Sequence, residues 1–142
     1  MEKIKYLGAT LTSNPGLSFS HEADLRSFYR SANSILNQIQ IRNEPILMQL
    51  LYSHCVPCFS YAAAVKDYSS KQMHDCTVAI NDGIRKIFTF QWWESVRTLR
   101  EGFKYPSLTE IFEKARRKFQ NSLPGHTNAT VSRLFGILSQ DE

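Results

Sequence analysis

Long apolar runs are missing from this 142-residue chain; none approaches the ~18 residues that a membrane-spanning helix needs. A glycine-rich phosphate loop is missing too. No serine or cysteine meets a histidine in a recognisable nucleophile setting, which leaves hydrolase chemistry without a foundation. The aspartates (Asp24, Asp67, Asp75, Asp82, Asp141) are scattered rather than paired within one strand–turn unit. They read as solvated or capping carboxylates, and two-metal chemistry has no visible ligand set. There are only three cysteines, an odd count. With a charged N-terminus and no apolar stretch of signal-peptide length, this argues against a disulfide framework and predicts a reducing, intracellular setting, nucleus or cytoplasm. The sequon Asn128-Ala-Thr130 is then a chance match. Internal repeats and low-complexity segments are absent as well.

What is present is a globular composition, with 42% hydrophobic and 21% charged residues and a length that fits one domain. The net charge of +4 favours polyanionic partners weakly, since a modest positive charge also serves solubility. Clustering of the charge matters more than its sum.

Along the chain, Lys3 to Thr12 alternates and is rich in β-formers, predicting one strand that continues past Gly8 as a bulge. A lone strand leaves its backbone groups unpaired. It therefore pairs either with a short hairpin arm near Leu17–Ser20 or with sequence outside this chain. Ser13-Asn-Pro-Gly16 is a turn, and Ser20 is the expected N-cap of a helix over 21–41. Its buried stripe is Ala23, Phe28, Ala32, Ile35, Leu36 and Ile39. Asn43-Glu-Pro45 opens a second, central helix, which Pro57 kinks or ends. A third helix spans 69–89 on a stripe from Met73 to Phe88. A fourth covers 94–101. Ser107 caps a fifth over 108–121, with Leu108, Ile111, Phe112, Ala115 and Phe119 inward. A last short helix is expected over Thr130–Leu138. The fold class is thus mainly α: an N-terminal strand or small hairpin (1–20), a bundle of about five helices (21–122), and a short C-terminal helix and tail (123–142).

Three constellations stand out. Arg26, Arg30, Asn33 and Asn37 recur at spacings of 4, 3 and 4, which stacks them along one edge of a helix. Such a ladder suits a phosphate-facing surface, arginine for phosphate oxygens and asparagine for sugars or base edges; the alternative is an ordinary solvent face. Arg85 and Lys86, with Arg97, Arg100 and Lys104, concentrate positive charge around Trp92 and Trp93. Basic residues among aromatics hold phosphates and stack unpaired bases, or they rim a core tryptophan pair. Finally, His54-Cys55-Val-Pro-Cys58 with His74 and Cys76 offers zinc ligands on paper, although cysteines among Leu50, Leu51, Tyr52 and Phe59 also read as small core residues.

Lys5-Tyr6-Leu7-Gly8-Ala9-Thr10-Leu11 resembles the "KYLG" strand that follows the palm in reverse transcriptases of non-LTR (LINE-like) retrotransposons. Further segments agree in order. Ala32-Asn33 with Leu36 resembles the first thumb helix. Tyr52-Ser-His-Cys-Val-Pro57 with Tyr61 resembles a "Y-x-x-x-x-P-x-x-x-Y" helix. Asn81-Asp82-Gly83-Ile84-Arg85-Lys86-Ile87 resembles an "N-x-x-x-R-x-I" segment. Tyr105-Pro-Ser-Leu108 with Arg116-Arg-Lys118 resembles a "P-S-L … R" helix. The resemblance covers about residues 3–120. It departs at Ala62, where the family has glycine after the second tyrosine, and at the cysteines flanking the proline.

The resemblance implies that the strand is the last of a palm and that the helices are thumb and post-thumb. The Arg26/Arg30/Asn33/Asn37 ladder, together with Arg85 and Lys86, would face an RNA or DNA template–primer duplex. The Cys-x-x-Cys would be packing. The catalytic carboxylates, their magnesium and the fingers would lie upstream, so this chain would hold no cofactor and do no chemistry itself, its partners being the nucleic acid and the upstream palm and fingers, with no membrane. Two other readings remain: a helical protein-interaction module from a truncated or domesticated retroelement, and a small zinc-binding domain.

Overall fold

The computed structural model describes residues 2–13, 16–40, 42–125, 127–130 and 133. Asn14 and Pro15 of the expected turn, and most of the helix expected over Thr130–Leu138, lie outside these residues.

Three short strands, β1 (Lys3–Tyr6), β2 (Ala9–Ser13) and β3 (Leu17–Ser20), form an antiparallel sheet in that order. The single bulged strand expected from the sequence is therefore two strands and a hairpin turn. Leu7 and Gly8 both have positive φ, 46° and 82°, the requirement of a two-residue turn whose twist matches its strands. Gly8 makes the reversal that had been expected as a bulge. The Leu17–Ser20 arm pairs with β2, with Leu11 opposite Phe19 and Ile4 opposite Leu11. Alternation puts Ile4, Tyr6, Ala9, Leu11 and Phe19 on one face and Lys3, Lys5, Thr10, Thr12 and Ser18 on the other.

Helix α1 spans Glu22–Gln38. Ser20 is engaged in β3, so His21 takes the N-cap position without a side-chain cap bond. Glu22 and Asp24 in the first turn complement the helix dipole instead. Phe28 and Ala32 are buried, whereas Ala23, expected inward, is exposed. Asn43 caps α2 (Glu44–Leu50), its side chain accepting from the Ile46 N–H at 3.3 Å. Pro57 has no N–H to give and its ring crowds the preceding turn. The chain widens there into a π-helical turn over Leu51–Cys55, with the Val56 N–H reaching back five residues to Leu51 O at 3.0 Å. Pro57 then opens the short α3 (Pro57–Ser60).

Helix α4 (Ser70–Phe88) starts in a full capping box between Ser69 and Gln72 and buries Cys76, Ala79, Ile80, Gly83, Ile84 and Ile87. A short α5 (Arg97–Gly102) follows, and a second capping box, Ser107 with Glu110, opens α6 (Leu108–Ser122). Leu108 and Phe112 are buried, but Phe119, placed inward by its spacing, is 43% exposed. The core gathers on Phe28, which stacks on Phe59 with ring centroids 5.0 Å apart. A Cβ at Gly83 would stand 3.1 Å from Leu51 Cδ1 and 3.5 Å from Phe28 Cζ. Glycine thus lets α4 lie close to α1 and to the π-turn.

Candidate nucleic-acid interface

With their inner faces packed together, α1 and α4 leave a groove along their outer edges. It is open, about 590 Å³ in volume, and lined by Asn33, Leu36 and Asn37 from α1, by Asp82, Arg85 and Lys86 from α4, and by Tyr29, Arg42, Thr89, Phe90 and Trp92. Four of the six residues singled out in the sequence, Asn33, Asn37, Arg85 and Lys86, therefore meet in one place. Arg26 and Arg30 do not line it. They are exposed on the same edge of α1, toward its N-terminus, extending the polar ridge to a length of about 16 Å at 1.5 Å per residue.

Local contacts fix the cations differently. The Lys86 ammonium donates to Asn33 Oδ1 at 3.1 Å and stands 5.9 Å from the Tyr29 ring centroid. Arg85 is more engaged: it donates to Asp82 Oδ1 and to the Glu94 carbonyl, each at 3.1 Å. It is half-buried and anchors the segment after α4 as well as contributing charge. The Tyr29 hydroxyl donates to Asp82 Oδ2 at 3.3 Å, and burial, with Asp82 second, raises the pKa of that phenol above its usual value. Asp82 is thereby held by Arg85 and Tyr29, and the groove keeps Arg42 and Lys86 as its exposed cations.

Two groove residues carried no clear signal in the sequence. Arg42 lies between two helices, outside any periodic pattern. Tyr29 was hidden because it sits beside Phe28 on the inward side of α1. The tryptophans are not a core pair under a charged rim: Trp92 is 79% and Trp93 65% exposed, and their rings meet edge to face with centroids 5.5 Å apart. Arg97 pairs with Glu101 at 2.8 Å on the surface of α5. Arg116 is half-buried and donates to Lys66 O at 3.0 Å.

The cysteines take up the packing reading. Cys55 and Cys76 are fully buried in the core and Cys58 is half-buried against it. Burial, with Cys58 second, pushes the Cys55 thiol up to about 11. Burial and then Asp24 push Cys76 up to about 12. Among the described residues no three His, Cys, Asp or Glu side chains converge as a metal-holding group. The zinc set read from the sequence does not assemble there. No described helix is long and apolar enough to cross a membrane.

Asp24 is not a solvated carboxylate. It accepts from Lys66 Nζ at 2.9 Å and from the Tyr68 hydroxyl, and Lys66 is only 2% exposed. This buried trio ties the segment after α3 to the start of α1. An apolar cleft lies beside it. The hydrophobic face of the sheet and the 61–65 turn enclose a cleft of about 430 Å³ lined by Tyr6, Leu7, Leu11, Phe19, Tyr61 and Val65. Tyr6, Leu7, Tyr61 and Val65 are exposed.

Set against known proteins, the chain matches no protein-family model, no curated protein and no solved structure.

Proposed function

We propose that this chain is a non-catalytic part of an RNA-directed DNA polymerase, and that its α1–α4 edge grips the template–primer duplex. The observation that carries the reading is the junction of Asn33 and Asn37 with Lys86 and Arg42 in one open groove, continued by Arg26 and Arg30 along α1. Cations bind phosphates irrespective of sequence, and asparagine amides add sugar or base-edge contacts. The residues of the reverse-transcriptase resemblance fall on both walls of the groove, which supports the same reading. The chemistry, with its magnesium, then belongs to the rest of the parent polymerase. The exposed apolar face of the hairpin suits contact with an adjoining palm.

An RNA–DNA hybrid titrated at several salt concentrations tests this. Binding should weaken steeply with salt, and Arg26→Glu with Arg30→Glu should weaken it further. Unchanged binding in that double variant rules out the α1 face. A second reading, a helical protein-interaction module, draws on the same exposed hairpin face, Ile4, Tyr6 and Leu7 together with Tyr61 and Val65. It predicts negligible affinity for the hybrid at ~150 mM salt, where exposed charges more than about 8 Å apart are screened.

A further inference from the structure

Both tryptophans of the chain sit in the segment between α4 and α5, and both are largely uncovered. Burying an aromatic ring is worth several times the net contribution of a surface hydrogen bond. Two adjacent exposed indoles are therefore a large stacking surface left unused within the described fold. Their position gives that surface a direction. Trp92 lines the same groove as Arg42, Lys86, Asn33 and Asn37. Arg85 fixes the segment by its bond to Glu94 O, and Glu94 Oε2 accepts from the Gln91 N–H at 2.5 Å. The edge-to-face contact with Trp93 orients the Trp92 ring while leaving it solvent-accessible.

We infer that Trp92 is a stacking platform for an unpaired nucleobase, at the point where a single-stranded extension leaves a duplex held in the groove. An indole face accepts any base, because every base has a π-face, and cations alongside hold the flanking phosphates. Within a duplex the bases are already stacked on each other, so a lone exposed indole gains nothing from an uninterrupted helix. The inference rests on the duplex-gripping reading for the location of the junction, but not for the stacking itself.

Since the chain has two tryptophans, the Trp93→Phe protein carries Trp92 as its sole indole, and fluorescence reports on that site alone. Three probes are titrated: a blunt RNA–DNA hybrid, the same hybrid with a short unpaired extension, and the extension as a free single strand. The expected result is tighter binding of the extended hybrid than of the blunt one, with quenching of Trp92 by the extension only. Trp92→Leu should then weaken the extended hybrid roughly 5- to 150-fold, the range one base–aromatic stack supports, and weaken the blunt hybrid by a much smaller factor. The residue's exposure makes the variant safe for folding, which a thermal melt checks. Equal affinities for blunt and extended hybrids without quenching overturn the platform and leave the duplex grip standing. Quenching by the free strand with no binding of the blunt hybrid supports the platform and overturns the grip. No binding of any probe overturns both.

Discussion

The Lys86 ammonium donates to Asn33 Oδ1 over 3.1 Å and so joins the two walls of the α1–α4 groove. Both residues are exposed, and the bond between them is a surface bond of small net worth. Removing it should therefore separate folding from binding. Lys86→Ala should change folding stability by no more than about 0.5 kcal/mol, as for most surface positions. It should also weaken binding of an RNA–DNA hybrid and lower the slope of log affinity against log salt by about 0.9, the signature of one lost phosphate contact. Thermal melts and anisotropy titrations measure the two quantities. A large loss of stability with an unchanged salt slope would make Lys86 a strut between helices rather than a phosphate contact.

The Lys66–Asp24 pair should behave in the opposite way. Lys66 is enclosed, its ammonium facing the Tyr61 and Tyr68 rings as well as Asp24. Removing one partner leaves the other as an uncompensated charge in the interior, so Lys66→Met or Asp24→Leu alone should cost about 3–5 kcal/mol. The two together should cost clearly less than the sum, because no charge is left stranded. Chemical denaturation of the four proteins completes the cycle, and simple additivity would show that the pair is not coupled.

These two lysines show where the sequence was legible. Asn33, Asn37, Arg85 and Lys86 of the groove could be found because they recur at helical spacing on the outside of α1 or sit at the basic end of α4. Lys66 could not. It stands between helices with no periodicity, and its partner Asp24 is 42 positions away. The helices were readable because apolar stripes repeat every three to four residues. Their ends were less so: Ser20 has the right chemistry for a cap, but strand pairing with β2 claims it first. The hairpin is disguised as a bulge in the sequence because its turn carries leucine where such turns favour asparagine. Phe119 has inward spacing, yet α6 has outrun its cover by that point.

The turn itself gives a third prediction. Leu7 is held at φ 46°, a left-handed conformation that costs an L-residue roughly 1–2 kcal/mol and that asparagine tolerates better. Leu7→Asn should stabilise the fold by about 0.5 kcal/mol. Gly8→Ala should destabilise it by about 1–2 kcal/mol, because φ stays positive; the new Cβ would also come within 2.8 Å of Tyr61 Cε1. Ala62, at φ 55° where the reverse-transcriptase pattern has glycine, invites the converse. Ala62→Gly should relieve strain and raise the denaturation midpoint. A fall in that midpoint would show that the left-handed strain at residue 62 is outweighed by lost packing.

The buried thiols and phenols set the response to alkali. Burial pushes Cys55 up to about 11, and burial followed by Asp24 pushes Cys76 up to about 12, from an ordinary value near 9. Burial also raises Tyr52 to about 12, and it raises Tyr68 further, with Asp24 accepting the hydroxyl, from an ordinary value near 10. Between about pH 9 and 12 the unfolded chain releases protons that the native protein retains. Stability must therefore fall with rising pH across that window, since the native state binds more protons there. Below pH 9 these groups are protonated in both states and their contribution is fully present. The melting temperature should lose little to these groups from pH 7 to 8.5 and then decline steeply. Cys76→Ala should lower stability at every pH through lost packing, yet flatten the alkaline decline because one retained proton is gone. If the variant's decline is as steep as that of the unsubstituted protein, the burial of Cys76 is not what holds its proton.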